Sequence, residues 1–150
     1  MINLKITTQQ CISIITFLNK MGIYGKLIDI IKKLSKSKLD QDILDRNIAD
    51  KLGDNKSDLN EVAKFLMSNP DIAERKNRLR EEQEGALFEI VFTIIEGIPH
   101  AEAQFYRTIA EIKDTDVETV KNADGAETVE FIKEIINSET FMGFFKFGMK

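Results

Sequence analysis

Tryptophan is absent, cysteine and histidine occur once each, and proline occurs twice in 150 residues. Each shortage removes a class of explanation. The single cysteine, Cys11, leaves no internal disulfide framework, and its neighbours Ile12, Ile14 and Ile15 mark it as a small apolar residue. The single histidine, His100, has only Glu102 near it in sequence, short of the ligand set a zinc ion takes. Following Pro99, it reads as an exposed residue in the first turn of a helix. Two prolines and eight glycines are too few turn signals for an all-β domain of this length. No run approaches the roughly 18 apolar residues of a membrane span. The start Met1-Ile2-Asn3-Leu4-Lys5-Ile6 lacks the basic opening and cleavage site of a signal peptide. The expectation is a protein of the cytoplasm with no membrane partner.

Motifs that carry chemistry are also missing. A calcium loop starting at Asp54 would need glycine at its sixth place and an acid at its twelfth, where Leu59 and Phe65 stand. Starting at Asp114, the same places hold Thr119 and Gly125. There is no glycine-rich phosphate loop and no Gly-x-Ser-x-Gly elbow. The adjacent Glu81 and Glu82 lie in a charged run, with no apolar setting to separate their pKa values. The sequence therefore assigns no catalytic residue, no metal ligand and no cofactor, and the expectation is a non-enzyme.

Apolar residues make up 43% of the chain and charged residues 31%, the balance of a folded protein rather than a disordered one. The net charge of −4 is unevenly spread: residues 1–40 carry seven lysines against two aspartates, so residues 41–150 total −9. The lysines at 32, 33, 36 and 38 come without arginine or interleaved aromatics, and the pI is near 5.2. That reads as a solvated helix face rather than a nucleic-acid footprint.

Hydrophobic spacing is helical along most of the chain, and the fold class is all-α, an orthogonal bundle of about six to eight helices. Ile2, Leu4 and Ile6 alternate as a short N-terminal strand or an extended arm. Thr7 to Gln10 reads as a capping box, followed by Cys11, Ile14, Leu18 and Met21 at helical spacing. A second helix carries Ile23, Leu27, Ile30 and Leu34, and a weaker third runs from Asp40 to Leu52 and stops at Gly53. Ser57 reads as the cap of the next, with Leu59, Val62, Ala63 and Leu66 inward. Asn69-Pro70 starts a long helix over about 70–97, charged from Asp71 to Glu84 and almost wholly apolar from Ala86 to Ile98. Its charged half is expected to project into solvent, its apolar half to be central to the core, and Gly85 to mark a kink or break. Later helices are capped by Asp114 or Thr115, by Asp124 and by Ser138. The expected division is an N-terminal helical subdomain, 1–53, and a C-terminal helical domain, 54–150.

Four of the ten phenylalanines fall in the last ten residues. Phe141, Met142, Phe144, Phe145, Phe147 and Met149 therefore stand as a partner-binding surface, in part folded inward and in part adhesive, where Met and Phe suit adaptable contacts.

The C-terminal half has a characteristic order. A strongly apolar helix (Leu87 to Ile98) precedes one ending Ile109-Ala110-Glu111-Ile112, then a turn from Asp116 to Val120. The acidic helix Thr128 to Ile136 and the Phe-rich ending follow. Over residues 86–147 this order resembles the tail assembly chaperones of long-tailed bacteriophages, especially those of low-GC Gram-positive hosts. The resemblance implies a protein that self-associates into a ring or spiral and coats the tape measure protein. It would hand that protein over as tail tube subunits assemble, with the major tail protein as a further contact. It also implies residence in the host cell cytoplasm and absence from the mature virion. The net charge of −8 over residues 85–140 suits keeping a coated complex in solution. The alternative is a helical regulatory adaptor that sequesters one specific protein partner.

Overall fold

A computed structural model describes residues 4–148, with side chains through residue 144. Among the described residues the chain forms an all-α, multi-helix bundle of eight helices, with no strand. In order these are α1 (Thr8–Met21), α2 (Tyr24–Leu52), α3 (Leu59–Ser68), α4 (Pro70–Gly97), α5 (Glu102–Lys113), α6 (Val117–Lys121), α7 (Gly125–Ile136) and α8 (Glu139–Gly148). Short 3₁₀ turns at Gly53–Asn55 and Ile98–His100 follow α2 and α4.

Local chemistry sets most helix ends. Thr7 and Gln10 form the reciprocal capping box: Thr7 Oγ1 accepts from the Gln10 amide at 3.2 Å, and Gln10 Oε1 accepts from the Thr7 amide at 2.9 Å. Helix α1 stops at Gly22, whose φ of 71° lies in the left-handed region that favours glycine. Asp58, Asp116 and Asp124 cap α3, α6 and α7 through their carboxylates, and Ser138 Oγ accepts from the Phe141 amide at 3.2 Å to cap α8.

The helices group into two compact units. One comprises Met1–Ile30 with Glu89–Lys150, the other Ile31–Phe88. In the first unit α1 and α5 run antiparallel, because contacts that ascend one helix descend the other. Gln10 Nε2 donates to the Glu111 carbonyl at 3.2 Å, Ser13 Oγ to Glu111 Oε2 at 2.7 Å, and the Phe17 and Phe105 rings stand 5.4 Å apart. Leu18, Ile90, Ile109, Ile132, Ile136 and Phe141 are buried in this unit. At the end of α4, Gly97 lies so close to Met21 that an added Cβ would fall 2.6 Å from the Met21 sulfur.

In the second unit the latter part of α2 and the first part of α4 also run antiparallel. Gln41 accepts from Gln83 Nε2 at 2.6 Å, while Asp45 meets Lys76 at 3.4 Å. Leu44, Ile48 and Leu79 form a buried cluster, flanked by Leu52, Phe65, Leu66 and Ile72. Ser37 is buried between the helices and donates to the Leu79 carbonyl and to Glu82 Oε2, both at 3.2 Å.

Several expectations change. The second and third helices are one, α2, since residues 35–39 contain no Gly or Pro and the buried Ser37 finds acceptors on α4. Helix α4 continues through Gly85 without a break. Its charged half does not project freely: Ile72 and Leu79 recur at helical spacing within the charge run and pack onto α2. Nor is its apolar half buried on all sides, because Phe88 and Phe92 are exposed. The caps are Asp58 rather than Ser57, and Asp116 rather than Asp114 or Thr115; Asp114 instead ends α5 in the left-handed region at φ 54°. Residues 4–7 carry no helix or strand, Ile6 is buried, and the Ile2 end of the expected strand or arm lies outside the described residues. Gly53, where the sequence suggests a boundary, falls at a turn inside the second unit, because it ends a helix whose partners, α3 and α4, come later in the chain.

Candidate interaction surface

The groups with chemical potential are dispersed. His100 is exposed on the turn after α4. Cys11 is half-buried beside a small apolar pocket lined by Ile6, Ile14, Ile15, Phe141 and Phe144, and burial raises its thiol pKa. Tyr106 donates its hydroxyl to Glu102 Oε1 at 2.7 Å, a bond that raises the phenol pKa, and Lys121 Nζ sits 5.5 Å from the ring centroid. Among the described residues no three His, Cys, Asp or Glu side chains converge as a metal site. No single helix among them is long and apolar enough to cross a membrane.

Exposed apolar side chains are the surface feature that calls for an explanation. Helix α3 is the clearest case. It begins where Asp58 Oδ1 accepts from the Asn60 amide at 2.9 Å, and it turns Phe65 and Leu66 onto the Leu44–Ile48–Leu79 cluster. Leu59, Ala63 and Met67 recur every four residues along its outer side, and Leu59 and Met67 are 84% and 82% exposed. The helix is therefore apolar over its packed side and the flank beside it, while Asn60, Glu61, Lys64 and Ser68 form its polar face. The sequence reading put Leu59 and Ala63 inward. The signal against that reading is a second row, Val62, Phe65 and Leu66, which already suffices to face the core.

The other exposed groups are smaller. On α4, Phe88 is 70% exposed and Phe92, one turn later, is half-exposed. On α2, Leu39 and Ile43 are each about half-exposed. Ile12 on α1 faces water as well.

Of the residues singled out at the C-terminus, Phe141 and Met142 are buried and serve the core of the first unit, whereas Phe144 is 40% exposed. The side chains of Phe145 and Phe147, and Met149 as a whole, lie outside the described residues. Phe141 and Met142 lie on the packed side of α8. No protein-family model, no characterised protein and no solved structure matches the chain.

Proposed function

We propose that this chain is a tail assembly chaperone of a long-tailed bacteriophage, a non-enzymatic protein that self-associates and coats the tape measure protein during tail morphogenesis. The observation that carries the reading is the outer row of α3. Leaving Leu59 and Met67 in water forgoes roughly 1.5–3 kcal/mol for each side chain, a deficit recovered when a partner covers them. A row at four-residue spacing fits the apolar stripe of another helix, the natural contact with a long helix-rich substrate. The C-terminal order of elements on which the family resemblance rests is present as helices α4 to α8. A net charge of −4 favours keeping a decorated substrate in solution. The protein would act in the host cytoplasm and leave before the virion matures.

The test is co-expression with the tape measure protein, then co-purification and light-scattering mass. Many copies of this chain per partner are expected. Leu59→Asp combined with Met67→Asp is expected to weaken capture at least about tenfold, a loss of 1.4 kcal/mol or more. Helical content should stay at the wild-type level. Failure to form any complex would remove the coating role and favour a sequestering adaptor of defined stoichiometry.

A further inference from the structure

The outer face of α2 carries a pattern that the coating role does not use. Lys32, Lys36, Leu39, Ile43, Arg46 and Asp50 follow one another at alternating spacings of four and three residues, and all six are exposed. That alternation is the heptad spacing by which one helix meets another along a seam. The seam is apolar at its centre and polar at its ends. Charge is also polarised along the helix: residues 32–38 hold four lysines and no carboxylate, while residues 40–50 hold four aspartates and one arginine.

We propose that this face binds the same face of a second copy of the chain, antiparallel and related by a two-fold axis level with Gln41. A helix basic at one end and acidic at the other complements itself only when reversed. In this register Leu39 lies against Ile43 of the second copy, and Ile43 against its Leu39. Lys32 lies against Asp50 of the second copy, and the pairing repeats on the other side of the axis. Shifting the register by one heptad sets Leu39 or Ile43 against a charged residue, so the apolar pair selects this alignment. Like-charged juxtapositions weaken the contact: Asp40 and Asp42, one residue either side of the axis, approach their own counterparts, and Lys36 lies against Arg46 of the second copy, moderated by Asp42 and Asp50 one turn either side of that arginine. Asp45 is engaged with Lys76 of its own chain at 3.4 Å and stays out of the seam. From Lys32 to Asp50 the contact spans about 27 Å at 1.5 Å per residue. With four apolar side chains at its centre the contact is small, and the dimer is a weak, reversible one. The contact would supply the two-fold step in the self-association of the functional reading, and it rests on that reading only for its purpose.

Sedimentation equilibrium of the purified full chain, with no other protein present, tests the interface separately from coating. A monomer–dimer equilibrium is expected below about 1 mM. Leu39→Asp with Ile43→Asp should leave a monomer. Lys32→Asp alone and Asp50→Lys alone should each weaken association about tenfold, and the two together should return it to within about threefold of wild type. Every substituted side chain is exposed, so circular dichroism should be unchanged. A chain that stays monomeric to about 1 mM overturns the proposal, as does association that survives the Leu39 and Ile43 changes. A double charge reversal that fails to restore affinity overturns the antiparallel register. Loss of tape measure capture leaves the dimer standing, and a monomeric chain leaves capture by α3 standing.

Discussion

Gly97 ends α4 against Met21, and its backbone φ of −81° is one any residue adopts. Replacing it with alanine removes chain entropy from the unfolded state, which alone would stabilise. The new methyl, however, would meet Met21 Cβ at 3.1 Å as well as the flexible sulfur, so the contact cannot be relieved by a rotamer change alone. Gly97→Ala is therefore expected to destabilise by about 1–3 kcal/mol in urea unfolding, as overpacking does. A gain in stability would show that Met21 yields. Asp116 gives a pH-dependent counterpart. Its carboxylate accepts from the Thr119 amide at 2.7 Å and from the Thr119 hydroxyl at 2.9 Å, and these bonds hold its pKa below the usual carboxylate value. A folded pKa below the unfolded one contributes stability that is fully present above the unfolded value and lost as pH falls through the folded value. Asp116→Asn keeps a capping oxygen but cannot titrate. Its deficit against wild type should be visible at neutral pH and vanish in acid; a deficit independent of pH would place the effect elsewhere. Caps of this kind were legible at Asp124, which stands alone between Ala123 and Gly125, and at Thr7, where Gln10 three residues on completes a capping box. They were misread where two adjacent candidates competed. Ser57 and Asp58 differ by one residue in sequence, and only the three-dimensional start of α3 selects between them.

At the scale of elements, α3 and α4 separate side chains that hold the fold from side chains that stand in water. Leu79 is buried among Leu44 and Ile48, although it stands inside the charge run of α4. Leu79→Ala is expected to cost about 2–5 kcal/mol by thermal or urea unfolding. The paired change at Leu59 and Met67 should alter stability by less than about 0.5 kcal/mol, because both side chains are already in water. If the exposed pair proved as costly as Leu79, α3 would have to be packed differently. The long helix, its start at Pro70 and its end before Pro99 were readable from punctuation in the sequence. Which half it buries was not. The charged half contributes Ile72 and Leu79 to a cluster, while Phe88 and Phe92 in the apolar half stay exposed. Composition reports how much apolar surface a segment has, whereas burial depends on which neighbours reach it. The C-terminal phenylalanines divide in the same way: Phe141 is core and Phe144 is partly exposed, although composition treats them alike.

At the scale of the whole chain, apolar burial is shared unequally. The first unit draws on α1, α5, α6, α7 and α8 together with parts of α2 and α4, and includes Leu18, Ile90 and Ile136 among its most deeply buried side chains. The second unit buries Ile31, Leu34 and Ala86, and it also holds a thin cluster of three buried residues, Leu44, Ile48 and Leu79, with partly buried neighbours and one buried serine bridge. The amides of that cluster consequently open at lower free energy, since local stability follows the density of buried apolar contacts. Native-state hydrogen exchange is expected to show Leu44, Ile48 and Leu79 exchanging through a smaller opening than Leu18, Ile90 and Ile136. The two sets should converge only in destabilising concentrations of urea. Both α2 and α4 pass from one unit into the other without interruption, which supplies a competing force. A helix propagates more easily than it nucleates, so its buried part can protect the rest. Equal opening free energies for the two sets would mean that this propagation outweighs the thin cluster and the chain unfolds as one cooperative body. Unequal values would make the second unit the part of the fold that rearranges most readily. It is also the unit that carries the α3 row and the α2 seam, so the two proposed contacts would form on the most compliant part of the molecule.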